Sequence, residues 1–118
     1  MAAKLTTHVL DIANGRPANG MQIELWYCNQ KQLKLLKTVR TNSDGRPDQP
    51  LLSAGEMKEG EYEIVFFVGD YFAGKGDSQG RVRFLDRVPV RFGISDPAAS
   101  YHVPLLCSPW AYSTYRGS

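Results

Sequence analysis

The sequence predicts an all-β fold, a two-sheet antiparallel β-sandwich with one short helix, formed as a single domain over residues 1–118. Three observations carry that reading. Seven or eight short runs alternate apolar and polar residues with the period of two that puts successive side chains on opposite faces of a strand. Clusters of Gly, Pro, Asn and Asp separate those runs. Asp70–Gly80 has room for at most one short helix, since each interior Gly costs about 1 kcal/mol against Ala.

Leu5–Ile12 opens the series as a strand with Leu5, Thr7 and Val9 on one face and Thr6, His8 and Leu10 on the other. Asn14-Gly15 and Arg16-Pro17 mark a loop. In Met21–Cys28, Met21, Ile23, Leu25 and Tyr27 share one face, and Gln22, Glu24, Trp26 and Cys28 the other. Leu33–Thr41 returns as a strand whose Lys34 and Lys37, with Lys31 before it, suit a solvated edge. Asn42-Ser43-Asp44-Gly45 is the strongest turn signal, and Arg46 leaves it on a fixed backbone. Pro47 and Pro50 make the next stretch extended and irregular, and Leu51–Glu59 reads as a loop or a helical turn.

Glu61–Gly69 alternates through Tyr62, Ile64, Phe66 and Val68 and turns apolar on both faces in its second half, as a central strand does. After the helical window, Arg81–Leu85 is linker-like. Val88, Val90, Phe92 and Ile94 form a further strand, stopped by Ser95-Asp96-Pro97. Tyr101–Cys107 alternates again, and Pro104 within it points to an edge position or a bulge. Ser108-Pro109 breaks it, and Tyr112–Arg116 is the last strand.

Composition narrows the function classes. With 42% hydrophobic and 22% charged residues the chain can build an ordinary core, which excludes disorder. A net charge of +2 with scattered Lys and Arg excludes nucleic acid as a partner. Cys28 and Cys107 read as two buried thiols in a reducing compartment rather than a disulfide. The N-terminus has no apolar leader, and no run is long enough to cross a membrane. The expectation is a cytoplasmic protein with no membrane partner, periplasmic or peroxisomal only if a targeting segment has been removed.

Chemistry-bearing residues are few. His8 and His102, the two histidines, each sit in a strand on the face away from its most apolar residues. Each reads either as a surface or interface histidine or as half of a converging proton-transfer pair. Two histidines without His-x-His or Cys-x-x-Cys spacing leave a metal ligand set incomplete, so no metal is expected. Arg46 reads either as a solvated arginine or as a rigidly held clamp for an oxyanion or carboxylate. Serine-hydrolase and phosphate-loop patterns are absent from the sequence, with no Gly-x-Ser-x-Gly elbow and no strand-to-helix glycine fingerprint. The last eighteen residues, YHVPLLCSPWAYSTYRGS, end on interactive side chains where a chain terminus ordinarily frays.

TTHVLDIANGRPA (Thr6–Ala18), TNSDGR (Thr41–Arg46) and that closing segment together resemble the transthyretin-related family, specifically its 5-hydroxyisourate hydrolases. The closing Tyr-Arg-Gly-Ser is the most specific piece, separating hydrolases from the hormone carriers of the same fold. The resemblance implies a transthyretin-like (prealbumin-like) sandwich assembled as a homotetramer, a dimer of dimers, with active sites at the dimer–dimer interface. It implies hydrolysis of the small molecule 5-hydroxyisourate to 2-oxo-4-hydroxy-4-carboxy-5-ureidoimidazoline without a cofactor. By the same resemblance His8, Arg46, His102 and Ser118 are the catalytic positions, and His8, Arg46 and Tyr115 bind substrate. Cys107 and Trp110 depart from the family pattern but stand outside those positions. The rival expectation is a non-catalytic carrier of small, thyroid-hormone-type ligands.

Overall fold

The structure is a computed structural model that describes residues 2–77, 80 and 82–118. Among these residues the strands are β1 (Leu5–Asp11), β2 (Arg16–Pro17), β3 (Gln22–Asn29), β4 (Gln32–Arg40), β5 (Gly60–Phe67), β6 (Arg87–Ile94), β7 (Tyr101–Cys107) and β8 (Tyr112–Thr114). One helix, α1 (Val68–Ala73), follows β5 directly, and a 3-10 turn covers Ala54–Glu56. Sheet A runs β2-β1-β7-β8 and sheet B runs β4-β3-β5-β6.

The alternation seen in the sequence is the alternation of burial. Leu5, Thr7, Val9 and Asp11 are buried on β1 while Thr6, His8 and Leu10 face outward, half-buried. Tyr101, Val103, Leu105 and Cys107 do the same on β7. Those inward residues meet Met21, Ile23, Leu25, Tyr62, Ile64, Phe66, Val88 and Ile94 in one apolar core between the sheets. Val68, Tyr71 and Phe72 of α1 close the end of that core. Their burial explains why the apolar run after β5 becomes a helix two residues earlier than the sequence suggests.

The antiparallel expectation holds for sheet B but not throughout sheet A. There β1 and β7 pair in parallel, from Leu5↔Tyr101 to Asp11↔Cys107, and every other pairing is antiparallel. Strand alternation is blind to direction, so nothing local signals a parallel pair formed between the two ends of a chain.

Pro104 also sits elsewhere than expected, within a central strand rather than at an edge or bulge. Its missing N–H falls in a gap of the β8 ladder. That ladder pairs residues 105–107 with 112–114, and the same register resumes only at the His102↔Gly117 bridge. Across the gap the Thr114 hydroxyl donates to the Pro104 carbonyl at 2.7 Å.

Arg16-Pro17, read as loop, makes the two-residue β2 beside the end of β1. β4 is an edge strand, as its lysines suggest, and a bulge interrupts its register opposite Leu25/Trp26. The helical window and the linker reading include Ser78, Gln79 and Arg81, which lie outside the described residues; Val82–Leu85 has no regular element. Cys28 and Cys107 are both buried free thiols, and burial pushes the Cys107 thiol up to about 12, so it stays protonated and inert.

Candidate functional site

The outward face of sheet A gathers residues from three distant parts of the chain. β1 supplies Thr6 and His8, and β7 supplies His102, directly opposite Thr6 in the parallel register. Opposed residues of neighbouring strands send their side chains to the same face. The Thr6 hydroxyl accordingly meets Nδ1 of His102 at 2.8 Å. His8 stands one step further along β1 on that face, a diagonal neighbour of His102 at roughly 7–8 Å between α-carbons.

Arg46 arrives from the turn after β4. Asn42 builds that turn twice over. Its backbone N–H donates to the Arg46 carbonyl at 2.8 Å, and its side-chain oxygen accepts from the backbone of Asp44 (2.9 Å) and Arg46 (3.3 Å). Gly45 adopts φ 76°, the left-handed conformation that favours glycine. It also packs so closely on β1 that an added Cβ would sit 3.3 Å from the His8 ring. The Val9 N–H donates to the Gly45 carbonyl at 2.8 Å, which docks the turn beside His8. Past it, Arg46, Pro47, Asp48, Gln49 and Pro50 bend over Thr6 and Thr7 to enclose a cavity of about 170 Å³.

The tail completes the face. The Gly117 N–H donates to the His102 carbonyl at 2.7 Å, pairing the tail to β7 outside the imidazole. Gly117 has an ordinary φ, so the reason for glycine is space: a Cβ would lie 2.5 Å from Cδ2 of His102. Arg116 holds this tail from the other side, its guanidinium 4.3 Å from the Tyr101 ring and Nη2 donating to the Ser100 carbonyl at 3.3 Å. Ser118 is exposed immediately beyond Gly117.

Within the single chain, then, His8, Arg46, His102 and the Gly117–Ser118 end come to one face. Tyr115 contributes to a different concavity, a cleft of about 340 Å³ between the β6 and β8 edges that also takes in Arg91, Tyr101, Val103 and Arg116. It is 60% exposed there.

Burial holds the His102 imidazole below its ordinary range, and the Arg46 guanidinium and His8 push it further in the same direction. Hydrogen bonding to the Thr6 backbone opposes them. The balance keeps His102 neutral near pH 7, able to accept a proton. No group of three or more His, Cys, Asp or Glu side chains among the described residues converges as a metal site. The guanidinium beside the two imidazoles also works against a cation. The arrangement suits a neutral base next to a fixed positive charge, the pairing that activates water and steadies the oxyanion it creates.

Thr6, Asn42 and Gly117 are the contributors that residue-type reasoning passes over. Thr6 and Gly117 matter only through contact with His102, which no spacing reveals. Asn42 had a signal, the Asn-x-Asp-Gly turn chemistry, legible as a turn but not as the support of a site.

Comparison with known proteins places this arrangement. The model of the HIUase/Transthyretin family matches residues 5–117. A protein of Rhizobium meliloti described as 5-hydroxyisourate hydrolase 2 is 52% identical over 99% of this chain and 98% of its own. A crystal structure of (S)-allantoin synthase superposes with TM-score 0.92 at 49% identity over 98% of this chain, which spans 44% of that longer protein. Sea bream transthyretin in complex with thyroxine shares the fold, with TM-score 0.84 at 22% identity over 98% of this chain and 95% of its own.

Proposed function

Because this chain belongs to the HIUase/Transthyretin family, with relatives about half identical along nearly their whole length, we propose that it hydrolyses 5-hydroxyisourate. It is an enzyme of the hydrolase class. Water adds to a carbonyl of the six-membered ring, the C–N bond to that carbon breaks, and the product is 2-oxo-4-hydroxy-4-carboxy-5-ureidoimidazoline. The chemistry needs a base for the water, a cation for the oxyanion and a proton for the departing nitrogen. His102 or His8 removes the water proton, and the other ring orients the water or carries the proton onward. Arg46 binds the ring oxygens and stabilises the charge that grows on the carbonyl oxygen. Ser118 and Tyr115 hydrogen-bond the substrate and fix its pose.

The observation that carries this reading is the convergence of Arg46 and His8 on a half-buried His102 whose Nδ1 and Cδ2 edges are taken by Thr6 and Gly117. The same face supports a homotetramer, a dimer of dimers with the sites between dimers. It leaves Leu10, Leu106, His8 and His102 half-buried on a surface that a second copy would cover. Light scattering on the purified chain tests the assembly.

The decisive assay follows the ultraviolet signal of 5-hydroxyisourate generated by urate oxidase. Decay that accelerates in proportion to added protein is the expected result. Decay at the spontaneous rate over a wide range of protein concentration sinks the enzyme reading and favours a small-ligand carrier.

A further inference from the structure

We infer that Thr6 is a positioning residue for this reaction: its hydroxyl accepts the Nδ1 proton of His102 and so leaves the Nε2 lone pair of that ring as the base. The inference rests on the hydrolytic reading above and names the atom that performs its first proton transfer.

The imidazole is held on two of its edges. Thr6 Oγ1 lies 2.8 Å from Nδ1, on the strand directly opposite. Threonine is β-branched and stiff at χ1, so that oxygen is fixed by its strand. Gly117 fills the Cδ2 edge, where even a methyl group would overlap the ring. What remains open is the tip bearing Cε1 and Nε2. Of the two nitrogens, one is committed to Thr6 and only Nε2 can reach a water.

A ring nitrogen that takes a water's proton must carry a lone pair, so a neutral ring must keep its one proton on Nδ1. A hydroxyl can donate or accept; with the Nε2 lone pair kept for the water, the ring proton sits on Nδ1 and the Thr6 oxygen 2.8 Å away accepts it. The titratable or charged groups that bear on the ring are Arg46 from the turn and His8 from β1; Arg116 of the tail is turned onto Tyr101. The side-chain contact of Nδ1 is the Thr6 hydroxyl at 2.8 Å, so the role falls to Thr6.

The test uses the full chain with Thr6→Val, Thr6→Ala and Thr6→Ser. Valine keeps the branched shape that suits a strand and removes only the hydroxyl. Long-range proton–nitrogen correlation spectra report which ring nitrogen of His102 is protonated, with His8 as internal control. In the wild type we expect Nδ1–H. In Thr6→Val and Thr6→Ala the Nε2–H form gains, and kcat falls roughly 10- to 10²-fold with KM changed by less than about threefold. Thr6→Ser recovers the tautomer and most of the rate. Nε2–H in the wild type, or an unchanged tautomer with unchanged kcat in both hydroxyl-free variants, overturns the role of Thr6 while leaving the hydrolytic reading intact. A wild-type chain without turnover overturns the hydrolytic reading, and the spectra still decide whether Thr6 holds the Nδ1 proton.

Discussion

Sheets A and B enclose one core with four strands each, yet they are built on different plans. Sheet B takes β3, β4, β5 and β6 from the middle of the chain and is antiparallel throughout. Its outer face carries ordinary solvated pairs such as Glu63–Arg91. Sheet A is assembled from the chain's two ends, with β1 and β7 side by side in parallel although 96 residues separate Thr6 from His102. In the proposed mechanism both imidazoles stand on sheet A, and Arg46 reaches their face from the turn after β4. A strand pair formed from distant segments can set a hydroxyl, two imidazoles and a docked arginine turn on one face. A hairpin can draw its face only from adjacent sequence. The cost is that such a face must be held by tertiary contacts, and here those are the Asn42 turn on one side and the tail on the other.

If that division is correct, the harshest break is to remove residues 115–118. β8 itself ends at Thr114, so its ladder to β7 survives while the Gly117 contact and Ser118 disappear. Turnover should fall by at least about 10³-fold, with the circular dichroism spectrum and the thermal midpoint nearly unchanged. His102→Ala, His8→Ala and Arg46→Ala should each lose at least about 10²-fold in kcat/KM and remain folded. A variant near wild-type rate removes its residue from the mechanism.

A finer break uses one glycine from each sheet. At Gly117 an added methyl group would overlap His102, so Gly117→Ala must displace the ring or the tail, and a displacement near 1 Å costs up to about 10²-fold. At Gly93 on β6 the nearest atom to an added Cβ is the Gly60 carbonyl oxygen at 4.0 Å, ordinary contact distance. Gly93→Ala should change kcat less than about twofold. Equal losses at both positions would mean that the rate depends on general packing and not on the seat of His102.

The same contrast explains what the sequence made legible. In β3 and β5 the period-two pattern marks Ile23, Leu25, Tyr62, Ile64 and Phe66 as core, and all five are buried. On β1 and β7 the pattern also puts His8 and His102 outward, the correct face. Their meeting is another matter, because alternation holds no information on which strands pair or in which direction. Thr6 looks like any strand threonine until His102 lies opposite it. Gly117 looks like a flexible terminal glycine until an imbalance of space, not of backbone conformation, shows why no larger residue fits. Pro104 misleads for a related reason: its missing N–H is harmless wherever the neighbouring ladder happens to be interrupted.

A smaller effect separates charge from shape within the site. Burial, Arg46 and His8 hold His102 below its ordinary value, so the acid limb of kcat should lie below about pH 6.5. Arg46→Gln removes a positive charge that opposes protonation, so the His102 imidazole should titrate at higher pH than in the wild type, as followed by its ring-proton resonances. No movement, or movement downward, would separate Arg46 from His102.

The smallest effect belongs to sheet B. Arg91 reaches Glu63 through Nε and Nη2, but both go to a single oxygen at 3.3 Å, longer than a good charge-assisted bond and without the two-oxygen fork. The arginine side chain is also 50% exposed, so water screens the pair. A double-mutant cycle with Glu63→Gln and Arg91→Gln should give a coupling of about 0.5 kcal/mol in unfolding free energy, fading at high salt. Glu63→Gln alone should change turnover little, because the pair is solvated and Glu63 stands apart from His8, Arg46 and His102. A coupling several times larger, or a clear loss of rate, would show that the outer face of sheet B takes part in assembly or substrate entry, and the division of labour between the sheets would have to be redrawn.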